Sequence, residues 1–206
     1  ILLEQVQARR SHPLDRGLRE DSIQFDGRLA RRNPGPRAFI TVMEGCNKTC
    51  TYCIVPTTRG GELSKPASAV LQEAEFVARQ GYSEVELLGQ NVNAYRDGKN
   101  HLGELLRMLR DVPGIRRLRF TTSHPAHLSD AIIRAMRDCP TVCNALHLPV
   151  QSGSDAVLER MRRGYTVRRY LDRVDRLRAA VPGLALSTDI IVGYPGETRA
   201  EFDATL

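Results

Sequence analysis

The stretch AFITVMEGCNKTCTYC, residues 38–53, joins a short run of apolar and β-branched residues to a loop with three cysteines. The apolar run, residues 38–43, predicts a buried β-strand. The cysteines that follow are Cys46, Cys50 and Cys53, spaced CxxxCxxC, and they are three of the five cysteines in the 206-residue chain. Because loops at strand ends commonly carry function, this loop is the first candidate for the chemistry of the protein.

Beyond this loop, the sequence alternates between helix and strand patterns. Apolar residues recur at helical spacing over residues 64–81, where Ser64 is a candidate N-terminal cap and Gly81 a candidate stop. Further strands are predicted at residues 84–89, 115–122, 142–150 and 184–193, each followed by a helical pattern. Five such units predict an α/β fold with parallel strands, which is a barrel, an open barrel or a doubly wound sheet.

Residues 1–37 differ from the rest because they are polar and rich in arginine, and they end in RRNPGPR. Glycine and proline at that end predict a linker, or a lead-in to the core, without regular structure. We expect residues 38–206 to form one domain, since their length suits a single hydrophobic core.

The composition limits the class of protein. The sequence has no apolar run long enough to span a bilayer and no signal-peptide pattern, so we expect a cytoplasmic protein without a membrane partner. Five cysteines are too few for a disulfide scaffold of this length, and a reducing compartment leaves thiols free to bind metal. The formal net charge of +6 permits a phosphate-bearing partner and somewhat favours a nucleic acid, although such arginine runs are also typical of a solvated surface.

The loops after the five predicted strands share a polar, reactive composition. In parallel α/β folds, ligands bind at the carboxyl ends of the strands. The five loops are EGCNKTCTYC, GQNVNAY, SHPAH, QSGSD and GYPGE. They contain cysteines, amides, hydroxyls, histidines and glycines, and together they predict one pocket that all five loops surround.

Three kinds of site remain open for the cysteines themselves. Structural zinc normally has four closed ligands in CxxC pairs, and no second pair follows at a fitting distance. A redox pair of Cys50 and Cys53 leaves Cys46 without a role. A cuboidal iron-sulfur cluster held by three thiolates leaves one iron open for a ligand, and this hypothesis is favoured. The alternative of another class is a basic RNA-binding or protein-binding module with a structural metal.

The CxxxCxxC loop, with Tyr52 directly before its last cysteine and a strand before it, resembles the radical S-adenosylmethionine (SAM) superfamily. The resemblance implies a 4Fe-4S cluster held by Cys46, Cys50 and Cys53. It also implies that the open iron binds the amino and carboxylate groups of SAM. Reductive cleavage of SAM would then yield a 5′-deoxyadenosyl radical, while the protein positions the cofactor and excludes water.

Four separated blocks make the likeness closer. MEGCNKTCTYCIVPTTRG, LLGQNVNAY, HLPVQSGSDAVLERMRRGYT and STDIIVGYPGET together resemble the methylthiotransferases of that superfamily, over about residues 37–206. LLGQNVNAY favours those that add a methylthio group to carbon 2 of N6-isopentenyladenosine beside the anticodon of tRNA. The alternatives act on threonylcarbamoyladenosine or on an aspartate of a ribosomal protein. The implied partners are tRNA and an electron donor such as flavodoxin or ferredoxin.

The chain departs from this family in two respects. The family uses a second 4Fe-4S cluster, held by three cysteines before the barrel, whereas residues 1–45 contain no cysteine. The family barrel has six strands and an RNA-binding β-barrel domain after it, whereas five strands are predicted here. We therefore expect a partial (β/α) barrel and a piece of a longer enzyme, able to bind the first cluster and SAM.

The resemblance also assigns candidate cofactor contacts: Tyr52, Gly89, Gln90, Asn91, Gln151, Ser152, Arg163, Val192 and Gly193. Residues 89–91 occupy the place that contacts the methionine amino group. Gln151, Ser152 and Ser154 are candidates for ribose or methionine, and Arg163 for the methionine carboxylate. Residues 191–193 resemble the apolar edge that packs on adenine.

Ordinary structural roles stay open for most of these residues. Residues 89–91 also suit a polar turn, Ser154 suits a helix cap, and residues 191–193 suit a core strand end. Cys139 and Cys143 are expected to be buried free thiols. His124, His127 and His147 are expected to be hydrogen-bonded residues at strand ends rather than substrate contacts. Asp189 is expected to face the barrel interior, where a carboxylate needs a partner.

Overall fold

The structure is a computed structural model that describes residues 35–206. The predicted linker over residues 1–37 lies almost wholly outside the described residues. In chain order the strands are β1 (Arg37–Thr41), β2 (Met43–Glu44), β3 (Leu63–Ser64), β4 (Glu84–Leu88), β5 (Arg96–Asp97), β6 (Asn100–His101), β7 (Arg117–Phe120), β8 (Ala145–His147) and β9 (Ala185–Ser187). The α-helices are α1 (Val55–Arg59), α2 (Ala67–Arg79), α3 (Leu102–Arg110), α4 (Asp130–Asp138), α5 (Asp155–Arg160), α6 (Val167–Ala180) and α7 (Arg199–Asp203).

Five of the nine described strands, β1, β4, β7, β8 and β9, are three to five residues long and are called the long strands here. They run parallel, and each lies beside the long strand before it in the chain. β1, β4 and β7 form one sheet in that order, and β8 pairs with β9. A parallel bridge between Leu118 and Val142 continues the order from β7 towards β8. A doubly wound sheet would reverse its order at a switch point, so this sequential order confirms the partial (β/α) barrel among the three predicted architectures.

The two faces of the sheet differ in chemistry because side chains alternate along a strand. Ala38, Ile40, Val85 and Leu87 point towards the helices and are fully buried. The other face carries charges that pair across the strands. Arg37 Nε lies 2.7 Å from Glu84 Oε1, and Arg119 Nε lies 2.9 Å from the same oxygen. The inner face of the partial barrel is therefore polar, and its ion pairs lie below the ends of the strands.

The predicted helices all form, with one correction at a cap. α2 begins after Pro66, and Ser64 instead lies in β3, where its hydroxyl accepts a hydrogen bond from the Arg96 N–H at 3.1 Å. Pro66 is the residue that directly precedes the first turn of α2, so Ser64 lies too far from the helix to cap it. Gly81 has a φ of +92° directly after the end of α2, which confirms the predicted stop. Ser154 caps α5 as predicted, since its hydroxyl accepts from the Val157 N–H.

The two cysteines outside the cysteine loop are both free thiols. Cys139 is fully buried and free, as predicted, whereas Cys143 is half-buried, and burial raises the pKa of its thiol. Among the described residues, no helix is both long enough and apolar enough to cross a bilayer.

α3 and α4 pack so closely that only glycine fits at one point of contact. A Cβ on Gly103 would lie 2.8 Å from the backbone carbon and oxygen of Ala131. We therefore expect Gly103→Ala to lower the free energy of unfolding by about 1–3 kcal/mol, because the helices must move apart and this outweighs the better helix propensity of alanine. Urea unfolding monitored by circular dichroism measures the change.

The control is Ser68→Ala, at an exposed position of α2. It adds no close contact, and we expect it to change the free energy of unfolding by less than about 0.5 kcal/mol. Equal effects of the two substitutions would contradict the proposed packing constraint.

Candidate functional site

A cavity of about 280 Å³ lies at the carboxyl ends of the long strands. Its lining comes from four of the five predicted loops and from Asp189 just after β9, whereas the predicted fifth loop, GYPGE, contributes no residue. The lining residues are Cys46, Lys48, Cys50, Tyr52, Cys53, Val55, Gln90, Asn91, Thr122, Ser123, His124, His147, Pro149, Gln151, Arg163 and Asp189. A second hollow of about 300 Å³ lies on the polar inner face of the strands and has no cysteine in its lining. The cavity that holds the three cysteines is thus the candidate site.

The cysteine loop, residues 45–53, is held in shape by its own backbone. Gly45 has a φ of +72°, and a Cβ there would lie 2.0 Å from the carbonyl oxygen of Gly61. The Gly45 N–H donates to Gln90 Oε1 at 2.7 Å, and the Cys46 N–H donates to the Gly60 carbonyl at 3.0 Å. These contacts hold the start of the loop, and glycine is required at position 45.

The middle of the cysteine loop is tied to later units of the chain. The Thr51 N–H donates to the Met161 carbonyl at 3.3 Å, and its hydroxyl lies 2.6 Å from the Tyr194 hydroxyl. These contacts join the first βα unit to residues near the fourth and fifth strands. The loop is therefore bonded to later parts of the chain, and its three cysteines line the cavity.

The three cysteines all face this cavity, although their exposure differs. Cys50 is buried, Cys46 is half-buried and Cys53 is exposed. Burial raises the pKa of the Cys46 thiol, while the Lys48 N–H donates to its sulfur at 3.4 Å and opposes that shift. A bound metal would displace the proton of the Cys46 thiol and hold its sulfur as a thiolate.

The arrangement of candidate ligands bears on which kind of metal site the cysteine loop could form. Among residues 35–206, no three histidine, cysteine or acidic side chains converge as the ligands of a single metal ion must. A cuboidal cluster takes its thiolates at separate corners, so three cysteines around one loop fit it.

Arg163 lies next to the cysteine loop, inside the cavity wall. Its Nη1 donates to Cys50 Sγ at 3.4 Å, and its Nη2 donates to the Pro149 carbonyl at 3.2 Å. Its Nε donates to the Tyr165 hydroxyl at 3.0 Å, and that hydroxyl donates to the Val150 carbonyl at 2.8 Å. A buried guanidinium held by three partners provides a fixed positive charge at the site.

Three buried polar atoms in the cavity wall have no hydrogen-bond partner. They are Asn91 Oδ1, Ser123 Oγ and His124 Nε2, in side chains whose residues are 2%, 5% and 7% exposed. The expectation that His124 is fully hydrogen-bonded is therefore wrong, because only its Nδ1 is engaged, by the Ala126 N–H at 3.2 Å. Buried polar atoms are nearly always paired, so three such atoms in residues that line one cavity suit a bound ligand or ordered water.

The other two histidines are hydrogen-bonded, as expected, whereas the Asp189 side chain, expected in the barrel interior, is 64% exposed. His127 Nδ1 lies 3.1 Å from Asn91 Nδ2. His147 lies 2.9 Å from the Ser187 hydroxyl and 3.1 Å from Asp189 Oδ2, so the carboxylate has a partner although it is exposed.

Two residues of the cavity wall have a strained backbone. Thr122 has a φ of +69° and Gln151 a φ of +75°, each just after a long strand. Non-glycine residues rarely adopt positive φ, and a β-branched threonine is an outlier there. Such strain concentrates at functional sites. The sequence analysis missed Thr122, Ser123 and Lys48. Ser123 and Lys48 lie in the strand-end loops that it identified, and Thr122 is the last residue of a predicted strand.

The predicted cofactor contacts divide into two groups. Tyr52, Gln90, Asn91, Gln151 and Arg163 line the cavity. The amide oxygen of Gln90 is already used by Gly45, so Gln90 also supports the cysteine loop.

The second group lies outside the cavity wall. A Cβ on Gly89 would lie 2.6 Å from Met43 Cγ, so this glycine allows β2 and β4 to approach. Ser152 is fully buried, and its hydroxyl accepts from the Ser154 N–H. Val192 and Gly193 line a separate outer hollow, and Val192 is 63% exposed. The roles predicted for these residues stay predictions.

A family model and a set of named relatives both match most of this chain. The family model "Radical SAM superfamily" matches residues 40–206. A protein named tRNA-2-methylthio-N(6)-dimethylallyladenosine synthase from Anaeromyxobacter sp. (strain K) is 58% identical over 82% of this chain and 36% of its own length. Proteins of the same name from Halorhodospira halophila and Neisseria meningitidis serogroup A are 52% and 51% identical, each over 89% of this chain. The chain spans about two fifths of the length of these relatives.

Solved structures share the fold. The cobalamin-dependent S-adenosylmethionine radical enzyme OxsB superposes with a TM-score of 0.67 at 12% identity, over 81% of this chain and 25% of that enzyme. The radical S-adenosylmethionine methyltransferase TsrM from Kitasatospora setae superposes with a TM-score of 0.66 at 20% identity, over 83% of this chain and 33% of that enzyme. At these identities the likeness establishes the fold alone.

The contact at Gly45 predicts a strict dependence of metal binding on this glycine. In Gly45→Ala, the new methyl group meets the Gly61 carbonyl, so the start of the cysteine loop must move. We expect the variant to retain less than about half of the wild-type iron after anaerobic reconstitution, since a displaced ligand weakens metal binding severalfold or more. Iron and sulfide assays measure the loss.

Gly98→Ala is the matched control. Gly98 also has a positive φ, +57°, but a Cβ there would meet no atom within 4 Å. It therefore carries the backbone strain without the contact, and its iron content should equal that of the wild type. Full iron content in Gly45→Ala would show that the loop does not need this close approach.

His124 predicts a specific dependence of stability on pH. Burial, and then the positive charges of Arg163 and Lys48, lower the pKa of His124 to about 3. Between about pH 6.5 and pH 3 the unfolded chain binds a proton there that the folded chain does not, so stability falls as the pH falls through this window. Between pH 6.5 and pH 5, we expect the free energy of unfolding to fall by about 1–2 kcal/mol less in His124→Gln than in the wild type.

Urea unfolding of both proteins without metal, at pH 7 and at pH 5, measures this difference. Parallel pH dependences of the two proteins would mean that His124 titrates in the folded state as it does in the unfolded state.

Proposed function

Because this chain belongs to the radical SAM superfamily, we propose that Cys46, Cys50 and Cys53 bind the 4Fe-4S cluster of a tRNA methylthiotransferase core. The proposed substrate is N6-isopentenyladenosine beside the anticodon, which receives a methylthio group at carbon 2. One observation carries the proposal of substrate: the relatives that are 50–58% identical over most of this chain are named for that reaction. The other cofactor is SAM, and the cluster supplies the electron that cleaves it.

The chain's own residues have four tasks in this function. The three thiolates hold the cluster in the loop, and the backbone contacts of Gly45 keep that loop in place. Arg163 provides positive charge beside Cys50, for an anionic part of the cofactor. Asn91 offers an unpaired amide oxygen that suits an amino group.

The surface at the start of α6 supports a tRNA partner. Arg162, Arg168 and Arg169 are exposed and have no ion-pair partner among residues 35–206. Arg169 also lines a small hollow with Tyr165, whose hydroxyl binds Arg163 of the cavity wall. Unpaired arginines beside the mouth of a cavity suit the phosphates of a polynucleotide whose base enters that cavity.

The proposal also includes a source of electrons and a cytoplasmic location. Tyr52 and Cys53 are exposed, so a reduced carrier such as flavodoxin or ferredoxin can approach the cysteine loop. A tRNA substrate places the protein in the cytoplasm. The sulfur-donating step, which is expected to need a second cluster, is not assigned to residues of this chain.

Cleavage of SAM tests the core of this function. We expect the chain, after anaerobic reconstitution and reduction with dithionite, to convert SAM to 5′-deoxyadenosine. Cys50→Ala should abolish the product and lower the iron content, because one corner of the cluster loses its ligand. Addition of tRNA that carries N6-isopentenyladenosine should increase the rate more than the same tRNA without the isopentenyl group.

Cys143→Ala is the control, since Cys143 is a free thiol outside the cavity. It should retain both iron and product. One zinc ion per chain, or product formation that persists in Cys50→Ala, would refute the ligand assignment. Equal rates with the two tRNAs would refute the substrate.

A further inference from the structure

We propose that Glu62, in the segment between α1 and β3, is a positioning residue for the iron-sulfur cluster and acts in two ways. Its carboxylate braces the cysteine loop, and its negative charge lowers the reduction potential of the cluster. The sequence resemblance assigns Glu62 no role, and this residue does not line the cavity. The inference rests on the proposed cluster at Cys46, Cys50 and Cys53.

The brace consists of hydrogen bonds in both directions between Glu62 and Asn47, the residue that follows Cys46. The Asn47 N–H donates to Glu62 Oε1 at 3.3 Å, and Asn47 Nδ2 donates to Glu62 Oε2 at 3.4 Å. The Glu62 N–H donates in return to Asn47 Oδ1 at 3.0 Å. The cysteine loop is thereby held at the peptide bond next to its first cysteine.

The same carboxylate also reaches the loop after β4. Asn91 Nδ2 donates to Glu62 Oε1 at 3.3 Å, and Asn91 is a buried residue of the cavity wall. One oxygen of Glu62 therefore accepts from the cysteine loop and from the loop after β4. Glu62 thus supports the cysteine loop from outside the cavity and ties it to the cavity wall.

The negative charge of Glu62 is not neutralised by a paired cation in the described part of the chain. The partners of its carboxylate there are amide N–H groups, and it takes part in none of the ion pairs among residues 35–206. Glu84 and Glu86 differ in this respect, since both pair with Arg37. Because Glu62 is also half-buried, water and salt screen its charge less than that of an exposed carboxylate.

A negative charge at this place disfavours the reduced form of a cluster, which carries one more electron than the oxidised form. The potential of an iron-sulfur cluster depends on net charge and on hydrogen bonds to its sulfurs. Arg163, which donates to Cys50 Sγ, acts in the opposite sense on the other side of the loop. By lowering the potential, Glu62 favours transfer of the electron to SAM in the proposed function.

Two substitutions separate the charge from the brace. Glu62→Gln keeps an oxygen that accepts from Asn47 and Asn91 and removes the charge. We expect normal iron content and a one-electron reduction that is roughly three- to tenfold more favourable, which is a potential about 30–60 mV higher. Glu62→Asp keeps the charge and shortens the brace. Its potential should stay at the wild-type value, while a chelator should remove its iron severalfold faster.

Potentiometric titration of the anaerobically reconstituted protein without SAM, followed by electron paramagnetic resonance of the reduced cluster, measures the potential. Glu75→Gln is the matched control. It removes the same charge from α2, where Glu75 lies 4.0 Å from Arg79 and outside the cavity wall. It should change neither the potential nor the rate of iron loss.

Each other outcome overturns the proposal. An unchanged potential in Glu62→Gln, or an equal rise in Glu75→Gln, would mean that the charge of Glu62 does not act on the cluster. A rise in Glu62→Asp as large as in Glu62→Gln would assign the effect to shape. Loss of the cluster in Glu62→Gln would refute a brace that needs only an acceptor oxygen. If the wild-type protein takes up no cluster, the proposed function itself fails, and this is visible before any variant is compared.

Discussion

The parallel alignment of the five long strands is the constraint on which the site depends. Each strand lies beside its predecessor, so every strand ends at the same rim and delivers its following loop there. The cysteine loop crosses this rim and is hydrogen-bonded to residues near the fourth and fifth strands through Thr51. Residues that are more than 100 positions apart, such as Cys50 and Arg163, thereby come into contact. The fold itself assembles the ligands.

Close backbone contacts give this assembly its rigidity. Gly45 lies against Gly60 and Gly61, and Gly103 lies against Ala131, so that neither position accepts a Cβ without movement. The ion pairs of Glu84 with Arg37 and Arg119 tie the strands together on the polar inner face. The stable scaffold allows the cavity wall to keep features that cost stability, namely the positive φ of Thr122 and the unpaired atoms of Ser123 and His124. Those costs are offset when a ligand binds.

Local patterns in the sequence were sufficient for most of the fold. Every predicted strand and helix forms, because strand and helix periodicities describe which side chains are buried. The predictions failed where a role depends on distant partners. Ser64 was expected to cap a helix, yet it bonds to Arg96 across a strand pair. His124 was expected to be fully paired, yet its Nε2 is buried without a hydrogen-bond partner. No local pattern contains that information.

The amino-acid sequence by itself determined the order of the βα units, the three-cysteine loop after the first strand and the set of strand-end loops that carry polar residues. These follow from short-range periodicity, from residue type and from spacing along the chain. The tertiary structure decided which polar atoms meet. It brought Arg163 to Cys50, engaged Gln90 with Gly45, and left Asn91, Ser123 and His124 with unpaired atoms in one cavity. The physical reason is that a hydrogen bond needs its two groups within about 3 Å, and only the folded chain sets such distances between residues that are far apart in sequence.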